Sequence, residues 1–151
     1  MFLKYYQKLD DAISYLFSSV SNEKKLLKSY FSNKKILYID IGTNEGGYLD
    51  FLSNFIKFKK VICFEPLKNL SDKLAKKYSK LNLLNFNLAV SNKNKTKIFY
   101  QYDISSQSSF YKQNDLFKSL KNLKKKFKIK AIKFDIFFKK KEKIDFCKID
   151  V

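Results

Sequence analysis

The segment Ile36 to Gly47, ILYIDIGTNEGG, followed by VICFEP from Val61 to Pro66, constrains the fold more than any other part of the chain. An apolar run leads into Asp40, Gly42 and Gly46 bracket Asn44 in a tight turn, and a second apolar run ends at Glu65 about 20 residues further on. A strand, a glycine turn, a helix and a second strand closed by a carboxylate form a βαβ unit, which predicts an α/β fold around a parallel sheet. Ligands of such sheets lie across the carboxyl ends of the strands. There the glycines let the backbone come close, and the strand-end carboxylate accepts both hydroxyls of a ribose. All three glycines of the chain fall in this one turn, so they stand where backbone freedom is needed. The unit reads as a nucleoside-cofactor site.

The first position of the turn selects among cofactors. A dinucleotide site cradles a pyrophosphate and places a glycine there, facing a helix N-terminus. Here the position is Asp40. A carboxylate beside a pyrophosphate is electrostatically poor, but it suits the sulfonium and ammonium groups of S-adenosylmethionine. The pattern D-x-G-x-N-x-G therefore favours a methyl donor over NAD, with Asp40 at the methionine end, Gly42 and Gly46 allowing backbone approach, Asn44 at the helix mouth and Glu65 at the ribose.

The ordered blocks YIDIGTNEGGY, FEP, NLAVSNK, SSQSSF and IDFCKIDV resemble the FkbM-like family of S-adenosylmethionine-dependent methyltransferases, from about Ile36 to Val151. The resemblance implies a class I, Rossmann-like sheet, of which this chain holds the N-terminal part: the first four parallel strands and a β-hairpin appendage. It also implies S-adenosylmethionine as cofactor and methylation of a hydroxyl oxygen on a sugar, a glycan or a related small molecule. In the family the last block continues into an acidic residue and a glycine, so a truncated domain is expected here. Carried over position by position, Asn87 lies near the adenine, although Asn also favours such turns for local reasons. Ser106, Ser108 and Ser109 match a serine block on the acceptor side, for which a polar loop is the equal alternative. Asp150, at the end of the fourth strand, is the candidate catalytic base, the alternative being a structural or metal-binding carboxylate.

Charge points elsewhere at first sight. The net charge is +18 with a pI near 9.8, and Lys118 to Lys143 holds twelve lysines against Asp135 and Glu142. Such a balance raises RNA as a substrate, yet the chain contains no arginine, the side chain suited to bidentate phosphate and guanine contacts. Lys, Asn, Ile, Phe and Tyr all have AT-rich codons and all are abundant, so most lysines read as solvated surface and nucleic acid as an unlikely partner. A non-catalytic cofactor-binding remnant is the other competing reading. The chain has no histidine, which removes the commonest general base and metal ligand. Cys63 and Cys147 sit in separate strand-like runs without zinc-site spacing, so no metal is expected and free thiols in a reducing cytoplasm are. Lys4, Lys8, Asp10 and Asp11 break any leading apolar block, which supports neither a signal peptide nor a membrane span.

Apolar spacing predicts an N-terminal helical segment over residues 1–34, made of a helix from Phe2 to Val20 and another from Asn22 to Phe31 capped by Ser21 or Asn22. A cofactor-binding domain over 35–151 follows. Its predicted elements are strands Ile36–Ile41, Val61–Glu65, Leu83–Asn87 and Ile144–Val151, with helices Gly46–Phe55 and Leu67–Tyr78. A polar turn at Asn92–Lys95 precedes an alternating strand Lys97–Tyr102, Leu116–Phe127 is a basic helix, and Ala131–Phe138 is an extended apolar run.

Overall fold

The computed structural model describes residues 19–103, 108–112, 123–136 and 143–150. In chain order the elements are helix α1 (19–31), β1 (Lys35–Ile41), α2 (Gly47–Ser53), β2 (Lys57–Phe64), α3 (Lys68–Lys77), β3 (Leu83–Phe86), β4 (Ala89–Ser91), β5 (Lys95–Tyr102), β6 (Leu123–Lys133), a 3-10 turn at Phe134–Ile136, and β7 (Phe146–Ile149).

β1 is apolar at nearly every position because both its faces are covered, as in parallel sheets generally. It pairs in parallel with β2 on one side and β7 on the other, and β3 extends the sheet beyond β2, giving the order β3-β2-β1-β7. Alternate side chains of β1 serve two cores. Ile36 and Tyr38 pack with Leu49 and Leu52 of α2, Leu74 of α3 and Leu27 and Phe31 of α1. Leu37, Ile39 and Ile41 face the opposite way, with Ile62 and Phe64 of β2, against Val90, Ile132 and Phe134. The four strands expected in parallel are present, and the fourth lies beside the first: Tyr38 sits opposite Phe146, their rings stacked at 5.6 Å.

Three expectations are corrected. Residues 19–31 form one helix running through Ser21 and Asn22, so neither caps a second helix; both are exposed, where interior Ser and Asn cost little. The β-hairpin appendage is instead a three-stranded sheet of order β4-β6-β5, in which β6 runs parallel to β4 and antiparallel to β5. The basic helix is strand β6 from Leu123 onward, and residues 116–122 and 137–142 lie outside the described part. β6 alternates at period two: Ile129 and Ala131 are buried with Phe99 and with Leu70 of α3, while Lys126, Lys128 and Lys130 face outward. The helix expected over Phe2–Val20 also falls almost wholly outside the described residues. Among the described residues no helix is long and apolar enough to cross a membrane.

Candidate functional site

The turn after β1 is held by hydrogen bonds to the end of β2. The amides of Gly42 and Thr43 both donate to the Phe64 carbonyl, at 2.9 and 3.2 Å, and the Thr43 hydroxyl donates back to the Asp40 carbonyl at 3.0 Å. Gly42, Asn44 and Gly46 take φ values of 78°, 52° and 82°, the left-handed region that Gly and Asn enter most readily. This alternation bends the chain away from the sheet and into α2.

Glu65 follows the last residue of β2 and is 4% exposed. Its Oε2 accepts the Asn44 amide at 2.7 Å and its Oε1 accepts the Leu67 amide at 2.8 Å, so one carboxylate ties the turn to the start of α3. Burial pushes its carboxyl above the ordinary glutamate value, and the two amides pull it back. Asn87, just past β3, donates to the Glu65 and Pro66 carbonyls, each at 2.9 Å. Its amide thus clamps the strand ends beneath the site.

The two turn glycines make room for protein as well as for any ligand. A Cβ on Gly42 would lie 2.0 Å from the Asp150 carbonyl oxygen, and one on Gly46 would lie 2.4 Å from the Tyr78 hydroxyl, which donates to the Gly46 carbonyl at 2.8 Å. Gly42 is the crossing point of the turn and the end of β7, where the Asp150 amide donates to the Ile41 carbonyl at 2.9 Å.

Asp40 is fully buried, and neither carboxylate oxygen has a hydrogen-bond partner among the described residues. Its counter-ion is Lys148, which sits opposite it in the β1/β7 register with Nζ 3.6 Å from Oδ1. The same ammonium lies 3.3 Å from Asp150 Oδ2, and 5.8 Å from the Tyr48 ring centroid. Burial raises the Asp40 carboxyl above its ordinary value, and Lys148 opposes that rise.

A cleft of about 590 Å³ opens at the carboxyl ends of β1 and β2. Gly42, Asn44, Glu65 and Asp150 line it toward the central sheet, and Ser108 and Ser109 line it toward the second sheet. Four of the seven residues expected at the site thus share one wall; Asp40, Gly46 and Asn87 lie behind it, supporting the turn and the strand ends. Ser108 Oγ accepts the Tyr102 amide at 3.1 Å and Ser109 Oγ donates to the Tyr111 carbonyl at 2.9 Å, while Ser106 lies outside the described residues.

Two residues that sequence reasoning missed shape the site. Lys148 needed the pairing of β7 beside β1, after which the D-I of β1 and the K-I-D of β7 align. Asp145 accepts the Leu37 amide at 2.9 Å and returns its own amide to the Leu37 carbonyl at 3.2 Å, pinning β7 to β1 one register before the core pairs begin. Residues 40–151 match the family model described as Methyltransferase FkbM domain. No curated protein and no solved structure matches the chain.

Proposed function

The chain belongs to the FkbM-domain methyltransferases, and from that premise we propose that it transfers a methyl group from S-adenosylmethionine to a hydroxyl oxygen of a sugar, a glycan or a related small molecule, in the cytoplasm. The observation that carries this reading is Glu65. A buried carboxylate at the end of the second strand, held by the Asn44 and Leu67 amides, accepts one backbone N–H on each oxygen and keeps lone pairs for two ribose hydroxyls. The cleft it borders also has the size of a small-molecule site.

The residues present fit such a cofactor. Glu65 would hold the ribose, Asn44 and the Gly42 turn would line the path of the chain between ribose and methionine, and Asn87, clamping the end of β3 to that of β2, would lie near the adenine. When bound, the cofactor supplies a methyl group on a sulfonium, which is already a good leaving group. The protein's remaining tasks are to place the acceptor oxygen in line, exclude water and take one proton. Asp150, with its side chain 75% exposed on the cleft, would accept the proton of the acceptor hydroxyl. Ser108 and Ser109 orient the acceptor.

Incubation with methyl-labelled S-adenosylmethionine and a panel of free sugars, glycans and RNA tests this. Label in a base-stable ether on a glycan or sugar supports the proposal. Label in RNA alone, or none in any acceptor despite bound cofactor, overturns it.

A further inference from the structure

We propose that the acceptor is an anionic sugar, one bearing a carboxylate or a phosphate, and that Lys97 is the residue that recognises its charge; this rests on the function proposed above. Among the described residues, Lys97 is the one cation that lines the cleft. Both acids of the lining, Glu65 and Asp150, stand on the wall of the central sheet, where they suit a cationic methyl donor. Lys97 stands on the opposite wall, with Ser108 and Ser109. The cleft is thus negative where the cofactor would lie and positive where the acceptor would enter.

Packing holds this ammonium in place without neutralising it. Lys97 is half-buried and lies two residues before Phe99, on the same face of β5. Phe99 is buried and packs edge-on against Phe110, the ring centroids 5.6 Å apart, and Lys97 Nζ lies 4.6 Å from the Phe110 centroid. Paired backbone bonds between Tyr100 and Ser109, at 2.9 and 3.1 Å, fix the segment that carries Phe110 to β5. None of the ion pairs among the described residues includes Lys93, Lys95 or Lys97. Lys95 shares the face, and the charge of Lys97 pulls its ammonium below the ordinary lysine value, with Lys93 adding to the effect. An anion bound here relieves that repulsion and takes the N–H donors that the ring leaves unused. Beside it Tyr111 lines the cleft and is 78% exposed, a flat apolar surface on which a sugar ring can lie.

The test uses matched sugars: glucose, glucuronate and a glucose phosphate, with the galactose and mannose counterparts. Each is titrated calorimetrically into the chain saturated with S-adenosylhomocysteine, the demethylated cofactor, which reads acceptor binding without turnover. The wild type should bind at least one acidic form about 10-fold or more tighter than its neutral partner, the worth of one charge-assisted hydrogen bond. That form should also take label from methyl-labelled S-adenosylmethionine, and whether it is the carboxylate or the phosphate identifies the group. Lys97→Met keeps an apolar stem over Phe110 and should abolish the preference, with the affinities for the neutral sugar and for S-adenosylmethionine unchanged. Lys97→Arg should retain it. A wild type without the preference, a preference that persists in Lys97→Met, or a Lys97→Met chain that loses cofactor affinity to the same extent overturns the role of Lys97 and leaves the methyltransferase reading standing. A chain that binds no S-adenosylmethionine, or binds it and labels no sugar of either kind, overturns both.

Discussion

Replacing Gly42 by alanine should uncouple the turn from β7. The added Cβ would sit 2.0 Å from the Asp150 carbonyl oxygen and 3.1 Å from its carbon, both backbone atoms that no side-chain rotation can clear. At φ 78° an L-residue also costs about 1 kcal/mol or more relative to glycine. Relief requires β7 to withdraw, which breaks the 2.9 Å bond from the Asp150 amide to the Ile41 carbonyl at a further cost of about 0.5–1.5 kcal/mol. The sum is a loss of roughly 1.5–2.5 kcal/mol before any repacking around Phe146. Gly47→Ala is the matched control: nothing lies within 4 Å of its Cβ, and at the first residue of α2 alanine is the better helix former. Urea unfolding followed by far-UV circular dichroism measures both. Gly42→Ala should unfold at markedly lower urea and bind the cofactor weakly, and Gly47→Ala should match or exceed the wild type. A Gly42→Ala chain within about 0.5 kcal/mol of wild type would refute the crossing-point role.

Two further outcomes follow from buried groups. Burial holds the Asp40 and Glu65 carboxyls above their ordinary values, so their contribution to stability is fully present below the unfolded carboxyl range near about pH 4 and is lost as pH rises through the raised folded values. Asp40→Asn should therefore flatten the fall in stability of the free protein from mild acid toward neutrality, as urea midpoints at several pH values will record. Cys63 is buried and its thiol is pushed up to about 12 by burial, so in the folded chain it should resist a thiol reagent that labels both cysteines after denaturation.

The first βαβ unit was legible because its signals are local. The apolar run of β1, the clustered glycines and the strand-end Glu65 lie within one stretch of chain, and each has a single physical reading at its position. The second sheet was not legible, because its order depends on distant partners. Lys95 of β5 pairs with Ala131 of β6, and Ala89 of β4 pairs with the same residue from the other side. The consecutive lysines Lys124 to Lys126 further blurred the period-two alternation that Phe127, Ile129 and Ala131 carry. Within the site, the partner of Asp40 was hidden for the same reason: Lys148 lies over a hundred residues away in sequence and meets it only through the β1/β7 register. Gly42 was expected to let the backbone approach a ligand, and what approaches it in the structure is the end of β7.

The central claim is that Glu65 grips the ribose of S-adenosylmethionine. It is tested most directly by calorimetric titration of that cofactor, and separately of NADH, into the wild-type, Glu65→Gln and Glu65→Ala chains, with circular dichroism confirming that each is folded. The wild type should bind S-adenosylmethionine and not NADH. Glu65→Ala should lose about 10- to 100-fold in affinity, equivalent to charge-assisted hydrogen bonds of roughly 1.5–3 kcal/mol, and Glu65→Gln should lose less because it keeps one acceptor oxygen. Undiminished binding by folded Glu65→Ala, or tighter binding of NADH than of the methyl donor by the wild type, would contradict the account.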